Sequence, residues 1–327
     1  MSKLQIISPT SASRSDHLFN LQMGMENWAR LENASTTKKD EFEKIQEEVK
    51  KIQELDLIAT QDLINQGLTF GANISDTLIS TEDEEDFDDA QIAMNPTQLH
   101  NNDSRFNITS VPMPIIFGGF RIPWRQEAFD YKRAVGFERT TRKVMEKQDD
   151  LLINGDTSIK VTHNGTQNTI YGYTTLPGRQ TTTITTAWDS ATTSILADVK
   201  AMVTEMLTLN KVSSSVPQIL YVPTDYETPL NDTAFANKGD RSFREQIMHQ
   251  YPQIKDIRTL TKLATDNVLL VAMRSEYVQL AVAQMPIVIP HVKDVSIAPQ
   301  DFTTYSVMTP ILKTDSNGVT GIVHASV

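Results

Sequence analysis

Residues 111–155 read VPMPIIFGGFRIPWRQEAFDYKRAVGFERTTRKVMEKQDDLLING, a proline-punctuated apolar run followed by a charged segment that stops at Asn154-Gly155. Within Val111 to Phe117 the prolines at 112 and 114 lack the ladder N–H and stand two positions apart, so both missing donors point to one side. That pattern predicts an edge strand or a projecting arm. From Phe137 onward apolar residues recur at 137, 144, 145, 151 and 152, the three-or-four spacing of one buried helical stripe. Arg139, Arg142, Lys143, Glu146 and Lys147 fall on the other face. Asn154-Gly155 supplies two residues that tolerate left-handed backbone, the usual way to close a helix. Begun at Gln126, the helix would hold about 28 residues and span roughly 42 Å, with Gly136 weakening or bending it.

Periodicity alone is equally met by any amphipathic surface helix of a globular protein. The order of the signals is more specific. It resembles the junction of extended loop and spine helix in tailed-bacteriophage major capsid proteins of the Hong Kong 97-type fold and in encapsulin shells. There an apolar strand and an aromatic-rich turn lead to a long helix ending in a carboxylate-carboxylate-aliphatic-Asn-Gly run, here Asp149-Asp150-Leu151-Leu152-Ile153-Asn154-Gly155. The family's later aliphatic-Gly-aliphatic turn would be Ile170-Tyr171-Gly172-Tyr173. The resemblance implies an α+β fold divided into an amino-terminal arm (1–81), an extended loop (82–125), a peripheral domain with the spine helix (126–183 and 291–327) and an axial domain (184–290).

Upstream of the deciding stretch, Lys39 to Gln66 carries a helical stripe of Phe42, Ile45, Val49, Ile52, Leu55 and Ile58, with Gly67 as its stop. Such a stripe must bury against its own domain or a neighbour, or serve as the internal scaffolding-like region found in some members of the resembled family. Glu82 to Asp89 then places seven acids in eight residues, whereas Arg121 to Lys147 holds eight basic residues against four acidic ones. The acidic run reads as a solvated loop or as the partner of a neighbour's basic spine. Extended stretches at Arg105 to Ile108 and Val111 to Ile122 suit a long hairpin reaching over an adjacent subunit. Some members of the resembled family cross-link this loop through a lysine. Residues 82–125 contain none, so cohesion is expected to be noncovalent.

Downstream, strand and helix alternate. Ser190 to Asn210 is predicted helical on the stripe Ile195, Val199, Met202, Val203, Met206 and Leu209. Gln218 to Val222 reads as a buried strand ended by Pro223, Phe243 to Gln250 as a short helix, and Val268 to Met273 and Val278 to Ala283 as strands. Phe302 to Leu312 and Gly321 to Val327 are expected to pair as a hairpin across Asn317-Gly318. No internal repeat is found, and no low-complexity segment beyond the acidic run.

Composition narrows the function. A chain of 327 residues without cysteine can bury a sizeable core and uses neither disulfides nor thiolate metal sites, so a reducing cytoplasm is the expected site of assembly. No apolar run approaches a membrane span, and Met1 to Ser15 lacks the apolar core of a secretory signal. A net charge of −11 argues against a dedicated nucleic-acid binder, though not against a container. The six histidines, at 17, 100, 163, 249, 291 and 324, lack helical metal spacing. Phosphate-loop, dinucleotide and nucleophile-elbow motifs are missing too. Asp149 and Asp150, being adjacent, face different directions, which suits a solvated helix surface near Arg or Lys better than paired acid–base work. No catalytic residue, metal or cofactor is expected.

The resemblance implies a major capsid protein that self-assembles as pentamers and hexamers into an icosahedral head around double-stranded DNA. Portal, scaffold or decoration proteins are its expected partners, no membrane is involved, and its place is the virion. The alternative is an encapsulin-type compartment enclosing enzyme cargo. A soluble enzyme or binding module would instead need a deep pocket with converging polar groups. Under the capsid reading the contact residues are Phe42, Ile45, Val49 and Ile52 on the arm and Phe106, Ile108, Ile115, Phe117 and Phe120 on the loop. Tyr131, Lys132, Arg133, Arg139, Arg142, Lys143 and Lys147 serve on the spine, with Trp124 as a buried hinge between loop and spine.

Overall fold

A computed structural model describes residues 58–84, 106–124, 130–163, 165–190, 194–232, 241–292, 298–314 and 318–327. Helix α1 (Ile58–Asn65) is followed by β1 (Thr69–Gly71), β2 (Leu78–Glu84), β3 (Phe106–Pro112) and β4 (Ile115–Ile122). Helix α2 (Asp130–Asn154) leads to β5 (Gly155–His163), β6 (Thr166–Tyr171) and β7 (Gln180–Thr183). Then come α3 (Ile195–Thr208), β8 (Gln218–Pro223), α4 (Glu227–Asn231), α5 (Phe243–Gln250), β9 (Ile254–Leu260) and β10 (Asn267–Ala272). Strands β11 (Val278–Pro290), β12 (Gln300–Leu312) and β13 (Ile322–Ser326) complete an α+β chain.

The strands form a four-stranded sheet ordered β1-β11-β12-β4, a five-stranded sheet ordered β7-β13-β10-β8-β9, and the hairpins β2-β3 and β5-β6. The deciding stretch builds the first layer. Helix α2 runs 25 residues, about 37 Å, packs on β4 and β12, and sets Phe137 against Phe120 and Phe302 and Val144 beside Gly118. Phe120 stacks on Phe302 with centroids 5.0 Å apart, and Phe137 meets both edge-on at 5.1 and 4.9 Å. Gly136 has a packing role: a β-carbon there would overlap the Phe120 ring. The predicted start at Gln126 lies outside the described residues.

Strands β8 and β10 explain their unbroken apolar sequences by being buried on both faces. Leu220, Val222, Val268 and Leu270 meet Trp188, Val199, Met202 and Met206 from the α3 side. Ile219, Tyr221, Leu269 and Val271 face a second core that also holds Leu63, Leu152, Ile153, Leu280 and Met308. This second core ties the five-stranded sheet to α1, the end of α2 and the four-stranded sheet.

Several pairings differ from the sequence reading. Strands β3 and β4 do not form one hairpin together: β3 pairs with β2, from Leu78 opposite Pro112 to Glu84 opposite Phe106, while β4 pairs with β12. The prolines break the ladder between them, and each strand finds a partner elsewhere. The segment before residue 82, expected as an arm, supplies α1 against α2, β1 alongside β11, and β2. The carboxyl-terminal hairpin is also replaced. β12 pairs with β11 and β4, β13 inserts between β7 and β10, and a single bridge from Thr314 to Thr320 joins their flanks. Strand β13 therefore belongs to the five-stranded sheet and β11 to the four-stranded one, across the boundary drawn at 290/291. Helix α3 begins at Ile195, five residues later than predicted.

Candidate assembly interface

Alternation along β4 decides which residues of the deciding stretch reach solvent. Gly118, Phe120 and Ile122 turn toward α2 or its aromatic core, whereas Ile115 and Phe117 are 59% and 73% exposed. Phe120, expected at a subunit contact, packs half-buried in the internal aromatic trio. The register sets Phe117 beside Tyr305 and, through β12, Ile287; it sets Gly119 beside Thr303 and Ile289. Arg121 closes this face by donating twice to Asp301, at 2.6 and 2.9 Å. That pairing holds the Asp301 carboxyl below its ordinary range, first through the hydrogen bond from Arg121.

The outer face of the four-stranded sheet is therefore an apolar ridge on an edge strand. Ile289 and Val292 extend the exposed apolar surface at the end of β11. They were missed from sequence, although the alternation in Ile287-Val288-Ile289 could have revealed one outward face. Trp124, expected as a buried hinge, is 51% exposed, since Ile122 rather than Trp124 fills the core position beside Phe137.

The spine supplies a second surface. Arg139, Arg142, Lys143 and Lys147 are exposed on α2. Lys143 donates to Glu146 at 2.8 Å and Lys147 to Asp150 at 2.9 Å, with Arg142 3.8 Å from Glu138. Part of the basic stripe is thus compensated within the helix. Phe106 and Ile108 fall in β3, and Tyr131, Lys132 and Arg133 in α2. Phe42, Ile45, Val49 and Ile52, with residues 85–89 of the acidic run, lie outside the described residues.

The helix stop forms the joint of the molecule. Gly155 has φ +69°, and a β-carbon on it would stand 2.5 Å from the Gly172 nitrogen and the Ile170 oxygen. Tyr173 N and Thr174 N donate to the carbonyls of Leu152 and Ile153 at 3.0 and 2.9 Å, so the second turn caps the helix end. The Asn-Gly run and the Tyr-Gly-Tyr turn, 17 residues apart in sequence, are thus one structure.

Beside this joint, Asp149 is buried rather than on the solvated surface expected for it. Its Oδ1 accepts Thr60 N at 3.2 Å and Thr60 Oγ1 at 2.7 Å. Burial raises its pKa to about 6, against the lowering effect of donors from Thr60, Ile58 and Ala59. Nearby Asp62 is also buried; it accepts the Tyr221 hydroxyl at 3.1 Å and lies 3.7 Å from Arg258. Burial raises its pKa too, in spite of Arg258. Sequence could not have shown these contacts, because the Thr60–Asp149 partners are 89 positions apart.

A polar hollow of about 470 Å³ is lined by Ile58, Thr224, Glu227, Arg244, Arg258 and Thr259. Arg244 is paired with Glu227 at 3.1 Å, and Arg258 with Asp256 at 3.0 Å. Its charges are compensated, and they do not converge on an open reacting position. Among the described residues there is no group of three or more His, Asp or Glu placed to hold a metal ion, and no helix is long and apolar enough to cross a membrane.

Comparison with known proteins follows this geometry. The model of a Family of unknown function (DUF6260) matches residues 73–325. No curated protein matches the sequence. A virus-like particle from Pyrococcus furiosus superposes with a TM-score of 0.61 at 10% identity, covering 87% of this chain and 99% of that one. The capsid of Myoviridae phage XM1 gives 0.58 at 13% identity, covering 80% and 90%. The mature capsid of bacteriophage PhiM1 gives 0.51 at 8%, covering 79% and 84%.

Proposed function

The chain belongs to the Family of unknown function (DUF6260) and has the Hong Kong 97-type fold, and on that premise we propose that it is the major capsid protein of a tailed phage. In this reading, identical copies form pentamers and hexamers that close into an icosahedral head around double-stranded DNA. The observation that carries it is the reach of the likeness, over four-fifths of this chain and nine-tenths of the XM1 capsid chain.

The mechanism is geometric. Each subunit offers different patches to successive neighbours, and such heterologous contacts form a closed shell when their rotations close. We assign α2 and the four-stranded sheet to the peripheral part and the five-stranded sheet with α3 and α5 to the axial part. The β2-β3 hairpin is the base of the extended loop. Ile115, Phe117 and Trp124 supply apolar contact area of the kind that permanent interfaces bury, roughly 2,000 to 5,000 Å² each. The acidic run beginning at Glu82 meets a neighbour's basic spine face, giving register and sensitivity to salt. Portal, scaffold or decoration proteins complete the particle, and the chain itself has no catalytic role.

A compartment of the same fold with protein cargo is the second reading, favoured by the likeness to the Pyrococcus particle. Electron microscopy of the purified full chain tests both. Closed shells are expected, with a diameter that bounds the copy number; nuclease-protected DNA inside them supports the capsid and enzyme cargo the compartment. Material that stays singly dispersed by light scattering at high concentration overturns both.

A further inference from the structure

We propose that the seat of α1 on the end of α2 is a proton-sensitive latch: protonation of Asp149, with Asp62, fastens α1 to the spine, and ionisation loosens it. This is a property of the folded chain and does not depend on the assembly reading. A carboxylate near the end of one helix accepts hydrogen bonds from the amide and hydroxyl of Thr60 in the first described turn of another, with the Ile58 and Ala59 amides also directed at it. Thr60, Ala59, Leu63 and Asp149 are all buried.

The groups facing the site come from several elements. Asp62 lies on α1, Tyr173 follows β6, Tyr221 stands on β8, and Arg258 with Asp256 on β9. Tyr221 donates to Asp62, while the buried Tyr173 hydroxyl has no hydrogen-bond partner among the described residues. Arg258 reaches Asp62, leaving Asp149 with hydrogen bonds but no described ion pair of its own. A buried carboxylate held by dipoles alone bears a desolvation cost in its charged form.

The sign follows from that cost. Asp149 has a pKa of about 6 when seated and an ordinary aspartate value once α1 lifts and water enters. The seated form therefore binds the proton more tightly, and protonation favours seating. Its contribution is fully present below the ordinary aspartate value and is lost as pH rises through about 6. Asp62, raised in the same sense, adds to it.

Hydrogen exchange of the full-length protein as purified, at about pH 5 and about pH 7.5 with intrinsic rates divided out, reads the latch directly. Amides of 61–65 are expected to be about tenfold more protected at the lower pH from Asp149 alone, while those of α3 keep one value. Asp149→Asn, which keeps an acceptor and carries no charge, should shrink the pH dependence of α1 protection by about tenfold, leaving only the part that Asp62 contributes. Equal α1 protection at the two pH values, or greater protection at pH 7.5, overturns the proposal. So does a folded Asp149→Asn protein that remains as pH-dependent as the natural one. If that variant fails to fold, the comparison of α1 with α3 in the unaltered protein decides alone.

Discussion

A β-carbon added at Gly172 would overlap the Gly155 nitrogen, and one at Gly155 would crowd Ile170 O and Gly172 N on a backbone already at positive φ. The two glycines meet because the helix end finds its capping donors in the second turn. Gly67 is a useful contrast: it has φ +71° and nothing within 4 Å of an added β-carbon. Gly172→Ala should therefore destabilise the unassembled subunit by about 3 kcal/mol through backbone collision, whereas Gly67→Ala costs about 1 kcal/mol of left-handed strain. Urea midpoints at constant slope measure both, and equal losses would refute the close-approach argument. Asn154-Gly155 was readable as a stop because its meaning is local. Asp149 was not, since its burial depends on a threonine 89 positions upstream.

At the scale of elements, the edge character of Val111 to Phe117 was legible from its two prolines, but the choice of partner was not. A strand's sequence records which side is apolar; it does not say which of several strands will lie beside it. Strand β4 takes β12, and its alternation leaves Ile115 and Phe117 outward. Replacing both by threonine keeps strand propensity and removes the apolar ridge. Subunit stability should change by no more than about 0.5 kcal/mol, while the yield of closed particles falls about tenfold or more in sedimentation, as expected when central apolar anchors are lost. Unchanged particle yield would remove β4 from the interface. A parallel loss of stability would mean that these side chains serve the fold instead. Residues 82–125 contain no lysine, so under the capsid reading such noncovalent contacts carry more weight.

For the molecule as a whole, the largest departure from the sequence reading lies at the carboxyl end, where two strands with a turn between them looked like a hairpin. They instead serve different sheets. Strand β13 sits between β7, with which it runs parallel, and β10, with which it runs antiparallel. Ile322, Val323 and Ala325 are buried in cores on opposite faces of the five-stranded sheet. Proximity along the chain favours hairpins, but β12 is already paired on both edges, by β11 and β4, so no ladder position remains for β13 there. An interior strand cannot be removed without exposing the unpaired edges of β7 and β10 and opening both cores. Deleting residues 322–327 should therefore abolish the soluble folded subunit rather than trim its end. The readout is soluble expression followed by thermal unfolding: little soluble protein, or protein without a cooperative transition, is expected. A soluble truncated chain that melts cooperatively near the parent temperature would show that β10 and β8 hold the sheet without β13, and that the second core does not unite the two halves of the molecule.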